Sequence, residues 1–325
     1  MLRGSAKAKR QCTIAAAKQH RLHRPFPFLQ SLGVTLTYPR VVVDLGSNTF
    51  HWVIASGPAV ETFERRGLPV ALAAGLSEDG ELAPEALARA EGALAQLGNA
   101  LQGIPLAQRR VLGTATFRRL RDPAPLQARV AAHLGMPAEV LTGEAEATLI
   151  WHGVAAWQPL GEAQRCTLDV GGASTELAIG SAAGLTRVLS LPLGCVTVSE
   201  AAGTASDRWA RADALVAKVL EEAGLSAFRV GSGACLATGG SAISAQALAR
   251  AQGVVADRVS LSFLEGLWRQ LRSHGEVAPA GLPRGRSAVV LGELALLRGL
   301  LRALGQTLLP LVPGALADGA LRTRF

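Results

Sequence analysis

The chain has 325 residues, 49% of them apolar, so it is too long for one ordinary core and apolar enough to bury two. Its formal charge of +8 belongs to residues 1–40, which hold eight Lys or Arg and no Asp or Glu. The rest balances 25 basic residues against 25 acidic ones and gives no sign of a nucleic-acid-binding body. There is no signal-peptide core and no run of about 18 apolar residues, so a cytoplasmic chain without a membrane partner is expected.

In chain order, the basic tail lacks a sustained apolar period and is broken by Pro25 and Pro27, which predicts disorder. An organelle transit peptide, or a start placed upstream of the structured chain, are the alternatives. Structured sequence begins near Val41, where VVVDLGSNTFHWVIA (41–55) reads as two strands around a polar turn. A variable, Gly-rich region follows to residue 83. Pro84 opens a helix through about Leu101, with Leu87, Leu94, Leu97 and Leu101 on one face. VLGTAT (111–116) reads as a strand ending in a turn, and Asp122-Pro123 as a helix start. AEVLTGEAEATLIWHGVAAW (138–157) is a strand, a Thr142-Gly143 turn and a helix, and 157–165 is linker-like. A second hairpin lies at 166–180 and a further strand leads to LPLGCV. Helices are expected at 205–225 and 284–304, and ACLATGGSAIS (234–244) is a strand breaking at paired glycines into another helix. Alternating strands and helices, with a hairpin opening each half, predict an α/β chain of two related domains.

The hairpins echo each other. Asp44 and Asp169 are each followed by Gly at +2 (Gly46, Gly171) and Ile at +10 (Ile54, Ile179). In such turns glycine lets the backbone approach a ligand, and successive N–H groups form an anion nest to which Ser and Thr hydroxyls add donors. An Asp at the strand end suits hydrated Mg²⁺, which takes one or two carboxylates and keeps its waters. Together the turns offer what a phosphate–Mg²⁺ ligand requires, although capped β-turns of this composition are common. A third Gly-rich turn stands at Thr238-Gly239-Gly240-Ser241. The four cysteines have no paired spacing and the six histidines no ligand spacing, so neither a disulfide framework nor a His-based metal site is expected.

VDLGSNTFHWVIA, LGTATFRR, VLTGEAEATLIWHGV, LDVGGASTELAIG, LPLGCV, ATGGSAIS and PGALADGALRT run in one order across the body. In that order they resemble the exopolyphosphatase/guanosine pentaphosphate phosphohydrolase (Ppx/GppA) family of the acetate and sugar kinase/Hsp70/actin superfamily. The resemblance implies two actin-like (ribonuclease H-like) domains with a cleft between them. Domain I spans 41–150, with 305–325 crossing back onto it, and domain II spans 151–304. It implies a short form, without the added C-terminal domains of long members. The activity implied is Mg²⁺-dependent release of terminal phosphate from polyphosphate or guanosine pentaphosphate, with a homodimer as the expected assembly. By resemblance Glu146 is the general base, Arg118 binds the transferring phosphoryl oxygens, and Asp169 and Glu176 are the catalysis-linked acidic positions. Asp169, Glu176 and Asp44 are the expected metal side chains. Ser47, Asn48, Thr49, Gly171, Gly172, Ser174, Thr175, Gly239, Gly240 and Ser241 are the phosphate-contact candidates.

The sequence departs from the family pattern at several places. Ala173 stands where a third Gly is usual, Thr148 where an Arg is typical, Leu191-Pro192-Leu193 where some members carry basic residues, and ALADG where the family has an Arg-Glu pair. Each change removes a plausible phosphate-binding or bridging charge, while the carboxylates and Arg118 remain. Two alternatives to hydrolysis therefore stay open: a binding regulator with weakened catalysis, and an ATP-dependent kinase of the same superfamily.

Overall fold

A computed structural model describes residues 39–323 except 57–60, 226–227, 229, 232–234, 255–256 and 275–278. The basic tail of residues 1–38, and the disorder expected of it, lie outside the described residues.

The first hairpin pairs β1 (Arg40–Leu45) with β2 (Thr49–Ser56), in a register that sets Asp44 opposite His51. Strand β1 is buried on both faces. Val41 and Val43 pack with Phe50 and Trp52, while Val42 packs on the other side with Val53 and Ala55. Strand β3 (Glu61–Pro69) pairs antiparallel to β2, inside the stretch that the sequence suggests is a variable loop. Its ETFERRGLP is charged because it forms the sheet edge, where charge blocks further pairing. Helix α1 (Pro84–Ala100) lays Ala90, Leu94 and Leu97 on this sheet. Strand β4 (Arg109–Gly113) runs parallel to β1, and after α2 (Ala115–Arg119) and α3 (Ala124–Leu134) comes the short β5 (Glu139–Val140). The sheet order is β3-β2-β1-β4-β5.

Helix α4 (Gly143–Trp157) leads to the second hairpin, β6 (Arg165–Val170) with β7 (Thr175–Ser181), and then to β8 (Gly184–Leu191). Helices α5 (Cys195–Ala202) and α6 (Arg208–Glu222) precede β9 (Cys235–Thr238), which runs into α7 (Gly239–Ala251). The order β8-β7-β6-β9 reproduces β3-β2-β1-β4. Even the register shift recurs, between Ile54 and Ala55 in the first sheet and between Ile179 and Gly180 in the second. The chain ends with β10 (Arg258–Ser260), α8 (Leu261–His274), α9 (Val290–Ala303), β11 (Leu308–Pro310) and α10 (Leu316–Ala320). The helix expected over 284–304 begins only at Val290, and the one expected from 205 begins at Arg208.

Helix α4 lies between the sheets, which explains why it is apolar nearly all round. Leu149 and Ile150 pack with Val42, Val53 and Leu112 of the first sheet. Ala147, Trp151 and Val154 pack with Ala178 and Leu236 of the second. Helix α10 adds Leu316, Ala320 and Leu321 to the first of these clusters and crosses α4 closely. A Cβ on Gly319 would lie 1.8 Å from the Leu149 carbonyl oxygen, so only glycine fits there. The first turn of α4, carrying Glu146, is thereby held where both hairpins end.

Candidate active site

The first turn, between β1 and β2, is pinned from outside. The Asn48 carbonyl accepts from Val70 N and Ala71 N at 2.9 Å, and the Ser47 hydroxyl accepts from Thr116 Oγ1 at 2.8 Å. The second turn braces α5: Cys195 N and Val196 N donate to the carbonyls of Gly171 and Gly172, both at 2.9 Å. The two turns touch. A Cβ on Gly172 would lie 2.9 Å from Ser47 Cβ and 3.1 Å from Asn48 N, so a side chain there would push them apart. The third turn lies under Asp169. Gly239 takes φ +78°, and a Cβ on it would fall 2.1 Å from Asp169 Oδ1.

The acidic side chains converge at this meeting point. Glu146 sits one turn into α4, below the Thr142 cap, whose hydroxyl accepts from Ala145 N at 3.1 Å. Arg118, at the end of α2, donates through Nη1 to Glu146 Oε2 at 2.6 Å and to the Leu141 carbonyl at 3.0 Å. Its Nη2 lies 3.9 Å from Glu176 Oε1. Glu176, on β7 and directly opposite Asp169 on β6, is buried and accepts from Ser190 Oγ at 2.9 Å.

Burial raises every carboxyl of the group, and repulsion from neighbouring carboxylates adds to it at Asp44, Asp169 and Glu176. Burial, then the charges of Glu146 and Asp169, push Asp44 well above the usual carboxylate range. Asp169 is pushed up to about 7 by burial and Glu146, against the pull of Arg286. Glu176 is raised well above the ordinary range by burial and Glu146, against hydrogen bonds from Ser174 and Ser190. Glu146 is raised by burial against Arg118, which holds it down. Packing several carboxylates in one desolvated place is unfavourable unless a cation or a proton joins them.

Asp44 Oδ1 is the clearest sign of what could join them: it is shielded from solvent and, among the described residues, has no hydrogen-bond partner. Among the described residues no three His, Cys, Asp or Glu side chains converge closely enough to hold a metal unaided. Mg²⁺ needs only one or two carboxylates with its own water, and the orphaned Asp44 oxygen beside Asp169 fits such an ion.

The phosphate-contact candidates divide by orientation. Ser47, Asn48, Gly171 and Gly172 lie at the contact between turns. Thr49 is half-buried at the start of β2, and the buried Ser174 bonds to Glu176. Thr175 and Ser241 are fully buried and turn inward: Thr175 Oγ1 donates to the Leu193 carbonyl at 2.6 Å and Ser241 Oγ to the Val170 carbonyl at 2.9 Å. Gly240 lies beneath Arg286, where a Cβ would sit 2.7 Å from Nη2. Arg286, in the loop before α9, and His51, opposite Asp44, border the cluster without having been singled out in the sequence. Burial, with Arg65 and Arg286 nearby, lowers His51 to about 4, so its imidazole is neutral. His51 was within the first motif, but nothing local distinguishes Arg286 from its neighbours.

Among solved structures, the chain resembles an exopolyphosphatase from Cytophaga hutchinsonii with a TM-score of 0.77 at 20% identity, over 88% of this chain and 97% of that one. It also resembles a Ppx/GppA family member from Aquifex aeolicus with a TM-score of 0.67 at 20% identity, over 87% and 96% of the two chains. At these identities the likeness is one of fold, the two-sheet α/β architecture of actin-like proteins. The sequence profile of the Ppx/GppA phosphatase family matches residues 53–324, the span that carries the second and third turns, Arg118, Glu146 and the crossing helix α10, and the chain belongs to that family.

Proposed function

We propose that the chain is a phosphoanhydride hydrolase that releases the terminal phosphate of inorganic polyphosphate, or of guanosine pentaphosphate, using water activated by Glu146. The observation that carries this reading is the convergence of Asp44, Glu146, Asp169 and Glu176, with Arg118, where the first two turns touch. Hydrolysis of a phosphoanhydride is mostly positioning and charge stabilisation, with one carboxylate to orient and deprotonate water. A carboxylate raised by burial is a stronger base at neutral pH.

Phosphoryl oxygens arriving at the backbone of Ser47, Asn48, Gly171 and Gly172 would compete with Glu146 for the Arg118 N–H groups. Glu146 is then left to accept a proton from water, whose oxygen attacks the terminal phosphorus in line as the bridging P–O bond breaks. The products are orthophosphate and a chain shorter by one. Mg²⁺, held with its own water by one or two of Asp44, Asp169 and Glu176, would supply neutralisation of the developing charge on the phosphoryl oxygens. Domain I (41–150 with 305–325) and domain II (151–304) close over the site and exclude bulk water. A cytoplasmic homodimer with no nucleic-acid or membrane partner completes the reading.

Phosphate release from short polyphosphate, long polyphosphate and guanosine pentaphosphate, each with Mg²⁺ and with a chelator, tests it. Mg²⁺-dependent release from one of them is expected. Tight binding of all three without release would instead make the chain a regulator, and transfer from ATP to an acceptor other than water would make it a kinase.

A further inference from the structure

A second buried charge cluster lies on the far side of the third turn, and the reaction above does not use it. Arg286 approaches Gly240 from the loop before α9, and its Nε donates to Ser244 Oγ at 3.1 Å. Its Nη2 pairs with Oε1 of Glu293, in the first turn of α9. The same Oε1 accepts from Ser244 at 3.2 Å and Ser241 at 3.4 Å. Glu293 is 1% exposed, and its Oε2 is sealed off with no hydrogen-bond partner among the described residues. The Arg286 guanidinium keeps some exposure, and its Nη1 makes no hydrogen bond among the described residues. Arg286 is near enough to the carboxylate cluster for its charge to act on Asp169.

A cation beside a Gly-rich turn is ordinarily an anion-binding device. Here it comes with its own anion, fixed to the helix that follows. Glu293 touches no residue of the catalytic cluster, and burying it with one oxygen unsatisfied is unfavourable. Its effect on the site is to offset part of the Arg286 charge while holding the guanidinium in place.

We propose that Glu293 is a built-in counter-ion that withholds the Arg286 charge from the phosphate chain and so sets a deliberately weak affinity at the third turn. This inference rests on the polyphosphate reading for its ligand and deepens it by naming what limits how tightly the third turn holds a chain. Glu293→Gln keeps an oxygen for Ser241, Ser244 and Arg286 and removes only the negative charge. Its dissociation constant for inorganic tripolyphosphate, measured calorimetrically in chelator so that no turnover is needed, is expected to fall about fivefold. The dependence of that constant on salt steepens as well, which a purely structural role of Glu293 would not produce.

An unchanged or weaker affinity in folded E293Q overturns the proposal. Should E293Q fail to fold, the pair R286Q and R286Q/E293Q decides instead. A withheld charge predicts weaker binding in R286Q, where Glu293 is left uncompensated, and recovery to within about twofold of the wild type in the double variant. A double variant as weak as R286Q would mean that Arg286 grips the ligand itself, and the proposal falls. Tripolyphosphate binding that follows these expectations in a chain releasing no phosphate would sink the hydrolase reading and leave this one standing.

Discussion

Gly239 offers the sharpest check on where Asp169 lies. Its φ of +78° is left-handed, and a methyl group there would sit 2.1 Å from Asp169 Oδ1 and 2.8 Å from Cγ. Gly239→Ala therefore combines two penalties: about 1–2 kcal/mol for placing an L-residue in that conformation, and about 1–3 kcal/mol for the collision. Gly253 separates them, because it has φ +71° with nothing within 4 Å of an added Cβ among the described residues, so Gly253→Ala bears the first penalty alone. Guanidinium unfolding of the two variants side by side is expected to show G239A less stable than G253A by about 1–3 kcal/mol. Phosphate release is expected to drop about 100-fold in G239A, since Asp169 must move, and to stay near wild type in G253A. Equal stability losses in the two variants, or full activity in G239A, would refute the placement of Asp169 against the third turn.

Two further expectations follow from the charges. The raised carboxyls, Asp169 at about 7 and Asp44, Glu146 and Glu176 also above their ordinary values, bind protons more tightly in the folded chain than in the unfolded one. The stability this contributes is present at acid pH and lost as pH rises through about 7, by up to about 1.4 kcal/mol per pH unit for one group. In chelator, melting should therefore come at lower temperature at pH 7.5 than at pH 5.5, and Asp169→Asn should flatten that trend. Asp318 of α10 is buried and accepts from Arg65 Nη2 at 2.7 Å, Trp157 Nε1 at 3.0 Å and Ala315 N at 3.0 Å. Asp318→Ala strips all three partners and should destabilise the chain by about 3 kcal/mol in urea unfolding.

The hairpins were legible because β-branched runs meeting glycine turns are a local signal, and their repetition made the duplicated topology readable before any coordinates. Helix α1 and the Thr142-Gly143 turn that opens α4 announced themselves the same way. Strand β3 did not, because an edge strand carrying Glu64, Arg65 and Arg66 has the composition of a loop until its partner β2 is known. Helix α5 reads CVTVSEAA, whose β-branched residues favour a strand in isolation; its N-terminal end is fixed by the carbonyls of Gly171 and Gly172, which are remote in sequence. In the site, Thr175 and Ser241 could not be told from Ser47 by residue type, because a hydroxyl that donates inward to a carbonyl and one that stands at the contact between turns look alike in a motif. Arg286 was invisible for a related reason: it reaches the third turn through tertiary packing, and Glu293, its partner, lies seven residues further on, in the first turn of α9, in a stretch that otherwise reads as apolar.

The most direct test of the account compares Glu146→Gln with Glu144→Gln, two neighbouring carboxylates on one helical turn, of which only Glu146 is buried among the acidic cluster. With Mg²⁺ and polyphosphate, phosphate release should fall about 100-fold or more in E146Q and stay near wild type in E144Q. Equal release by the two folded variants would contradict it.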